Sequence, residues 1–271
     1  MTVIATNVNA LRASTASTNA NMMLSTSIER LSTGKRINSA KDDAAGLAIS
    51  TSMQSQITGM NQGIRNANDG ISLAQTAEGA LDEVTNNLQR MRELAVQAGN
   101  GTYSSSDLAN IKTEQDALAQ QITNIATNTQ FNGLALFDGS HATVKIQAGA
   151  NAADAVTMSM GASLTADATI TPVVASGASV TGATLAQYDT AISTISTRRA
   201  GLGAAQNQLQ SAVNNLTSDS TNLSAAQSTI QDTDFSAEST ALAKAQILTQ
   251  ASTAMLAQAN QSQQSVLKLL Q

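Results

Sequence analysis

From residue 185 to residue 230 the chain keeps one spacing without a break. Leu185, Tyr188, Ile192, Ile195, Arg199, Leu202, Gln206, Leu209, Val213, Leu216, Ser220, Leu223, Gln227 and Ile230 follow in alternating steps of three and four. Arg199, Gln206, Ser220 and Gln227 are the polar interruptions in an otherwise apolar stripe. Strands repeat every two residues, so this period predicts one long helix, supercoiled left-handed against partners. At about 1.5 Å per residue it is a rod of roughly 70 Å.

A matching stripe runs upstream through Ile57, Met60, Ile64, Ala67, Ile71, Ala74, Leu81, Leu88 and Ala95. The segment "AGNGTYSSSD" (98–107) breaks it. Ser104 and Asp107 then give an S-x-x-D start signal for a helix carrying Leu108, Ile111, Leu118, Ile122 and Ile125. Aromatic residues are only 2% of the chain and tryptophan is absent. The core must therefore be aliphatic and small, which closely stacked helices supply.

The period changes between residues 130 and 184. Phe131, Leu134, Leu136 and Phe137 surround the turn dipeptide Asn132-Gly133. Val144/Ile146/Ala148 and Val156/Met158/Met160 alternate with polar residues, two short strands joined by "ANAAD" into a hairpin. Residues 161–184, with the sole proline Pro172, read as loop of weak strand character. The expected fold is mainly α: an elongated helical bundle or coiled coil with a small β-hairpin region.

Both ends carry narrow stripes on polar helices. One is Ile4, Val8, Leu11, Met22, Leu24, Ile28 and Leu31; the other is Ala241, Ala245, Leu248, Met255, Ala259, Val266 and Leu269. Each is marginal alone and is expected to pack on the other. Inside the first rod, Gly63 and Gly70 lie seven apart and suggest a smooth strip for contacts between subunits.

Chemistry is sparse. The net charge of −5 disfavours nucleic acid, and the lack of cysteine removes disulfides and thiolate metal sites. No apolar run approaches the roughly 18 residues of a membrane span. The N-terminal "MTVIATNVNALRAST" lacks the pattern of a Sec signal peptide. Asp42 and Asp43 beside Lys41 admit three readings: an acid/base pair, a metal site or a helix start. Neighbouring helical residues point about 100° apart, and no histidine cluster stands nearby, so a helix start is the expectation. His141 is the only histidine, and no phosphate-binding loop, nucleophile elbow or zinc motif is present. The chain is expected to be no enzyme and to hold no cofactor or metal.

Four segments resemble bacterial flagellin: "LSTGKRINSAKDDAAGLAIS" (31–50), "LQRMRELAVQAGNGTYSSSDL" (88–108), "TQFNGLALF" (129–137) and "KAQILTQASTAMLAQANQSQQSVLKLL" (244–270). The resemblance spans about the first 150 and last 90 residues, without the large outer domains of longer flagellins. It implies an inner coiled-coil domain from 1–33 and 231–271, a spoke linker at 34–46, and an outer-tube domain at 47–230 that carries the hairpin and tip at 130–184. Ile4, Val8, Leu11, Leu24, Ile28, Leu31, Leu248, Met255, Val266 and Leu269 would pack the inner domain. Asp42 and Asp43 would sit at the junction, with Lys35, Arg36 and Lys41 facing the acidic return segment 230–238.

It further implies a subunit exported unfolded, assembling into the extracellular helical filament that drives swimming. Implied partners are identical subunits, the export apparatus and chaperone, the filament cap and hook-associated proteins. Gln89, Arg90, Glu93, Leu94, Gln97 and Glu114 would form a face shared by neighbouring subunits and a host flagellin-sensing receptor. Nucleic acid and membrane are not implied. The alternatives are a hook–filament junction protein of the same architecture and, in another class, a chemoreceptor-like signalling hairpin.

Overall fold

A computed structural model describes residues 6–174 and 184–268, with side chains to residue 262 in the last helix. The elements are α1 (Val8–Thr33), α2 (Ala44–Ala98), α3 (Ser105–Asn128), β1 (Gln130–Phe131), β2 (Leu134–Ala135), β3 (Thr143–Gln147), β4 (Ala155–Ser159), α4 (Thr171–Val174), α5 (Leu185–Gln231) and α6 (Phe235–Lys268). The helical fold class and the β3–β4 hairpin match the sequence expectation, and β1–β2 is a second small antiparallel pair. The chain divides into two compact units, one holding residues through Ser55 and from Asn222 on, the other Gln56–Thr221.

In the second unit the heptad buries Tyr188, Ile195, Leu202 and Leu209 of α5 against Leu73, Leu81, Leu88 and Met91 of α2 in one core. Ile122 and Ala126 of α3 join it. Ser104 and Asp107 form a reciprocal capping box: the Asp107 N–H donates to Ser104 Oγ at 3.3 Å, and the Ser104 N–H to Asp107 Oδ2 at 3.1 Å. Asn132 and Gly133 both take positive φ, 50° and 79°, the turn geometry that lets β1 pair tightly with β2.

β3 and β4 pair with Val144 opposite Met158 and Ile146 opposite Val156. Val156 and Met158 point into the core and Thr157 and Ser159 outward, the alternation the sequence shows. The glycine strip of α2 has a different use from the one expected of it. A Cβ on Gly63 would come within 2.8 Å of the Gly149 nitrogen, and one on Gly59 within 2.9 Å of the Ala150 Cβ. Asn66, on the same face, donates from Nδ2 to the Gln147 carbonyl at 3.0 Å. The strip admits the chain's own hairpin, so its smoothness serves an internal contact.

Residues 161–174 also differ from the expected loop of strand character. Leu164, Ile170 and Val173 are buried in the core, and α4 forms with Pro172 in its first turn, where a missing N–H costs nothing. Residues 175–183 of that expectation lie outside the described residues.

Candidate functional site

The first unit is built on α1 and α6, whose Cα atoms approach within 8 Å along their length. Small residues permit this. Ala20 and Ser27 on α1, and Ala245, Ser252 and Ala259 on α6, are buried at seven-residue spacing. Asn7 caps α1 by accepting from the Ala10 N–H at 3.0 Å and ties it to α6 through Nδ2 to the Ala259 carbonyl, also 3.0 Å. Arg30 reaches Glu238 at 3.6 Å.

The larger residues expected to pack this domain are less buried in the single chain. Val8, Leu11, Ile28, Leu248 and Met255 are 42, 65, 53, 41 and 64% exposed. Leu24 and Leu31 are partly buried. Ile4 and Leu269 lie outside the described residues, as does the side chain of Val266. Ala245 and Ala259 of the expected stripe do lie in the buried seam, with Ser252 between them, because a close helix pair buries small residues and leaves its larger side chains exposed. With Met23, the exposed Leu248 and Met255 line an apolar groove of about 820 Å³ along α1 and α6.

The stretch after α1 is held by its own backbone. Gly34 closes α1 in the left-handed region. Its carbonyl accepts from the Thr233 N–H at 3.0 Å, and the Arg36 N–H donates to the Gln231 carbonyl at 2.7 Å. Lys35 bridges Asp232 through the backbone, and Arg36 Nη2 donates to the Ile230 carbonyl at 2.8 Å. Asp42 Oδ2 accepts from the Asn38 and Ser39 N–H groups at 3.2 and 3.0 Å and from Ser39 Oγ at 3.0 Å. These Ser39 and Asn38 donors hold its carboxyl below the usual range. Asp43 Oδ1 accepts from the Gly46 N–H at 2.8 Å, the position of a cap on α2. The adjacent carboxylates therefore serve different backbone groups.

On the flank between α2 and α3, Arg90 Nε and Nη2 lie 2.9 and 2.8 Å from Glu114 Oε1, and Nη1 is 3.1 Å from Glu93 Oε2. The Glu114 and Glu93 bonds raise the Arg90 pKa further. Gln97 Nε2 donates to Tyr103 Oη at 3.3 Å, and Gln89 is exposed. Leu94 departs from the expected face: it is 2% exposed, so it lies beneath the surface and not on it.

Sequence reading missed Arg198. Its Nη2 meets Asp167 Oδ2 at 2.5 Å, and Nη1 donates to the Ala162 carbonyl at 2.8 Å. The pair clasps the segment before α4 to α5. The signal was the Arg198-Arg199 dipeptide in a chain with only 12% charged residues. Among the described residues no three His, Cys, Asp or Glu side chains group as a metal site, and no helix is long and apolar enough to cross a membrane.

Paired terminal helices with an outward apolar face, joined to heptad-packed rods with a small hairpin, define a structural, assembling protein. The family models for the bacterial flagellin N-terminal and C-terminal helical regions match residues 4–142 and 185–270. The flagellin of Halalkalibacterium halodurans is 44% identical over 90% of this chain and 90% of its own. That of Xenorhabdus nematophila is 50% identical over 59% of this chain and 51% of its own. The crystal structure of Bacillus cereus flagellin is 32% identical, covering 60% of this chain and 94% of that one, with a TM-score of 0.49. The chain belongs to the bacterial flagellin family: by family a flagellar filament subunit, a structural protein and not an enzyme.

Proposed function

We propose that this chain polymerises into an open helical flagellar filament through the outward apolar face of α1 and α6. The observation that carries this is the exposure of Val8, Leu11, Ile28, Ile247, Leu248 and Met255 on one helix pair. Apolar patches of that kind mark interaction surfaces. Contacts between different faces of identical subunits propagate into an open helix when their rotation does not close a ring. In this reading residues 1–33 and 231–271 form the inner domain, 34–46 the spoke and 47–230 the outer tube. The subunit is exported unfolded with an export apparatus and chaperone. It is placed under a filament cap, beyond hook-associated proteins, and rotated for swimming outside the cell. Free monomer presents Gln89, Arg90, Glu93, Gln97 and Glu114 to a host flagellin-sensing receptor.

The test uses Leu11→Glu with Ile247→Glu in the full chain. Both sites are 65% exposed, so helicity and melting are expected to be unchanged while filaments vanish from sedimentation and negative-stain fields. Removing residues 256–271 is expected to abolish filaments too, with some loss of helicity because Ala259 goes with them, while the second unit stays folded. Filaments of normal yield from either protein would overturn the reading.

A further inference from the structure

All the sulfur in this chain is methionine, because cysteine is absent. The thioethers fall into unlike environments. Met22, Met23 and Met255 are 56, 45 and 64% exposed, while Met91, Met158 and Met160 are 1, 0 and 2% exposed. Among the described residues, these three are the exposed methionines, with Met53 and Met60 partly buried; they lie on α1 or α6, and Met23 and Met255 line the same groove beside Leu248. We infer that Met22, Met23 and Met255 are an oxidation-sensitive site: hydroperoxides convert these thioethers to sulfoxides and switch off assembly of the free subunit. This rests on the assembly reading above and names a chemical control on the same face.

The step balances. A sulfur lone pair attacks one oxygen of the hydroperoxide; the S–O bond forms as the O–O bond breaks. Sulfur is oxidised by two electrons, and the hydroperoxide is reduced to water or an alcohol, which carries the proton. Access decides which thioethers react, so the core methionines are spared. The product replaces a soft apolar group with a strong acceptor. Free subunits keep that acceptor hydrated and stay folded, because the side chains already face water. Assembly would strip its water, and burying an unpaired polar group is unfavourable. Two such groups in the groove and a third beside it on α1 are expected to raise the critical concentration for assembly at least about tenfold. Subunits already in the filament are covered and are expected to react more slowly.

The experiment treats full-length monomer with hydrogen peroxide. Peptide mass spectrometry maps the sulfoxides, circular dichroism checks the fold and sedimentation measures assembly. Expected are early sulfoxides at Met22, Met23 and Met255, late ones at Met91, Met158 and Met160, unchanged helicity and lost assembly. Methionine sulfoxide reductase is expected to restore assembly, and the M22L/M23L/M255L chain to assemble with or without peroxide. If untreated protein forms no filaments, the assembly reading fails and takes this inference with it. If untreated protein assembles, the inference alone is overturned by any of three results: normal assembly with all three sulfoxides confirmed, no recovery after the reductase, or full peroxide sensitivity of the leucine chain.

Discussion

Arg199 meets Asp82 across α5 and α2, Nη1 to Oδ1 at 2.9 Å, from a heptad position that an apolar residue would ordinarily fill. The other polar interruptions are partnered too. Gln206 Nε2 donates to Glu78 Oε2 at 2.9 Å, Ser220 Oγ to Asn61 Oδ1 at 3.4 Å, and Gln227 Nε2 to Gln54 Oε1 at 3.1 Å. The partners advance along α5 as they retreat along α2, as one antiparallel register demands. Polar heptad positions fix register at some cost in stability.

Charge reversal at this pair tests the register. Arg199 and Asp82 are 32 and 52% exposed, so the ion pair itself is worth at most about 1 kcal/mol. Arg199→Leu is expected to move the melting temperature only slightly. Asp82→Arg sets like charges together and is expected to lower it, and adding Arg199→Asp is expected to restore it. A double-mutant cycle with no coupling would show that the pair does not select the register.

Two glycines of α2 separate helix propensity from packing. Alanine is favoured over glycine in a helix by about 1 kcal/mol. Nothing lies within 4 Å of a Cβ on Gly79, so Gly79→Ala is expected to raise stability by up to that amount. A Cβ on Gly63 would meet backbone atoms of Ala148 and Gly149 at 2.9 and 2.8 Å, so Gly63→Ala is expected to destabilise despite its propensity. Chemical denaturation of both variants reads the two signs; matching signs would mean the hairpin does not bear on Gly63.

The long elements were legible because their signals are local. The alternation from Leu185 ends at Ile230, and α5 ends at Gln231. Ser104 and Asp107 announced α3, and Asn132-Gly133 its turn. What failed was partner choice. A glycine face says that something approaches closely and not what, and the approaching backbone is Ala148–Gly149. Likewise a hydrophobicity count prefers Leu248 to Ser252, although Ser252 is buried at 7% exposure and Leu248 is 41% exposed. Its hydroxyl is satisfied within α6 by the Leu248 carbonyl, which lets serine behave as a small core residue.

The Asp167–Arg198 clasp sets an acid limit. Burial raises the Asp167 carboxyl, but bonds from Thr169 and then Arg198 outweigh it and leave it below the ordinary value. A folded-state pKa below the unfolded one stabilises above the unfolded value, about 3.9, and the contribution disappears as pH falls through the folded value. Asp167→Asn is therefore expected to melt below the parent at pH 6, with the gap closing under strongly acid conditions. Melting curves from pH 6 to pH 2 check it; a gap constant across that range would mean Asp167 carries no linked proton.

Arg90 offers the sharpest test of the α2–α3 flank. Its guanidinium bridges Glu114 at 2.8 Å and Glu93 at 3.1 Å, with all three side chains about half exposed or more. Arg90→Asp gathers three carboxylates in water, where repulsion is screened, so the monomer is expected to stay folded. The surface, however, changes from a neutralised cluster to a strongly negative one. A partner that reads Arg90, whether a neighbouring subunit or a host sensor, would then meet repulsion instead of a cation. Signalling by monomer in receptor-bearing reporter cells and filament yield are both expected to fall. Arg92→Ala is the control, because Arg92 turns to Asp189 of α5 at 2.6 Å and leaves the Glu114 cluster intact. Leu94→Ala separates surface from support: Leu94 is 2% exposed, so its loss is expected to cost about 2–5 kcal/mol and to appear first in the melting curve. Full signalling and normal filaments from a folded Arg90→Asp protein would show that this flank serves neither partner.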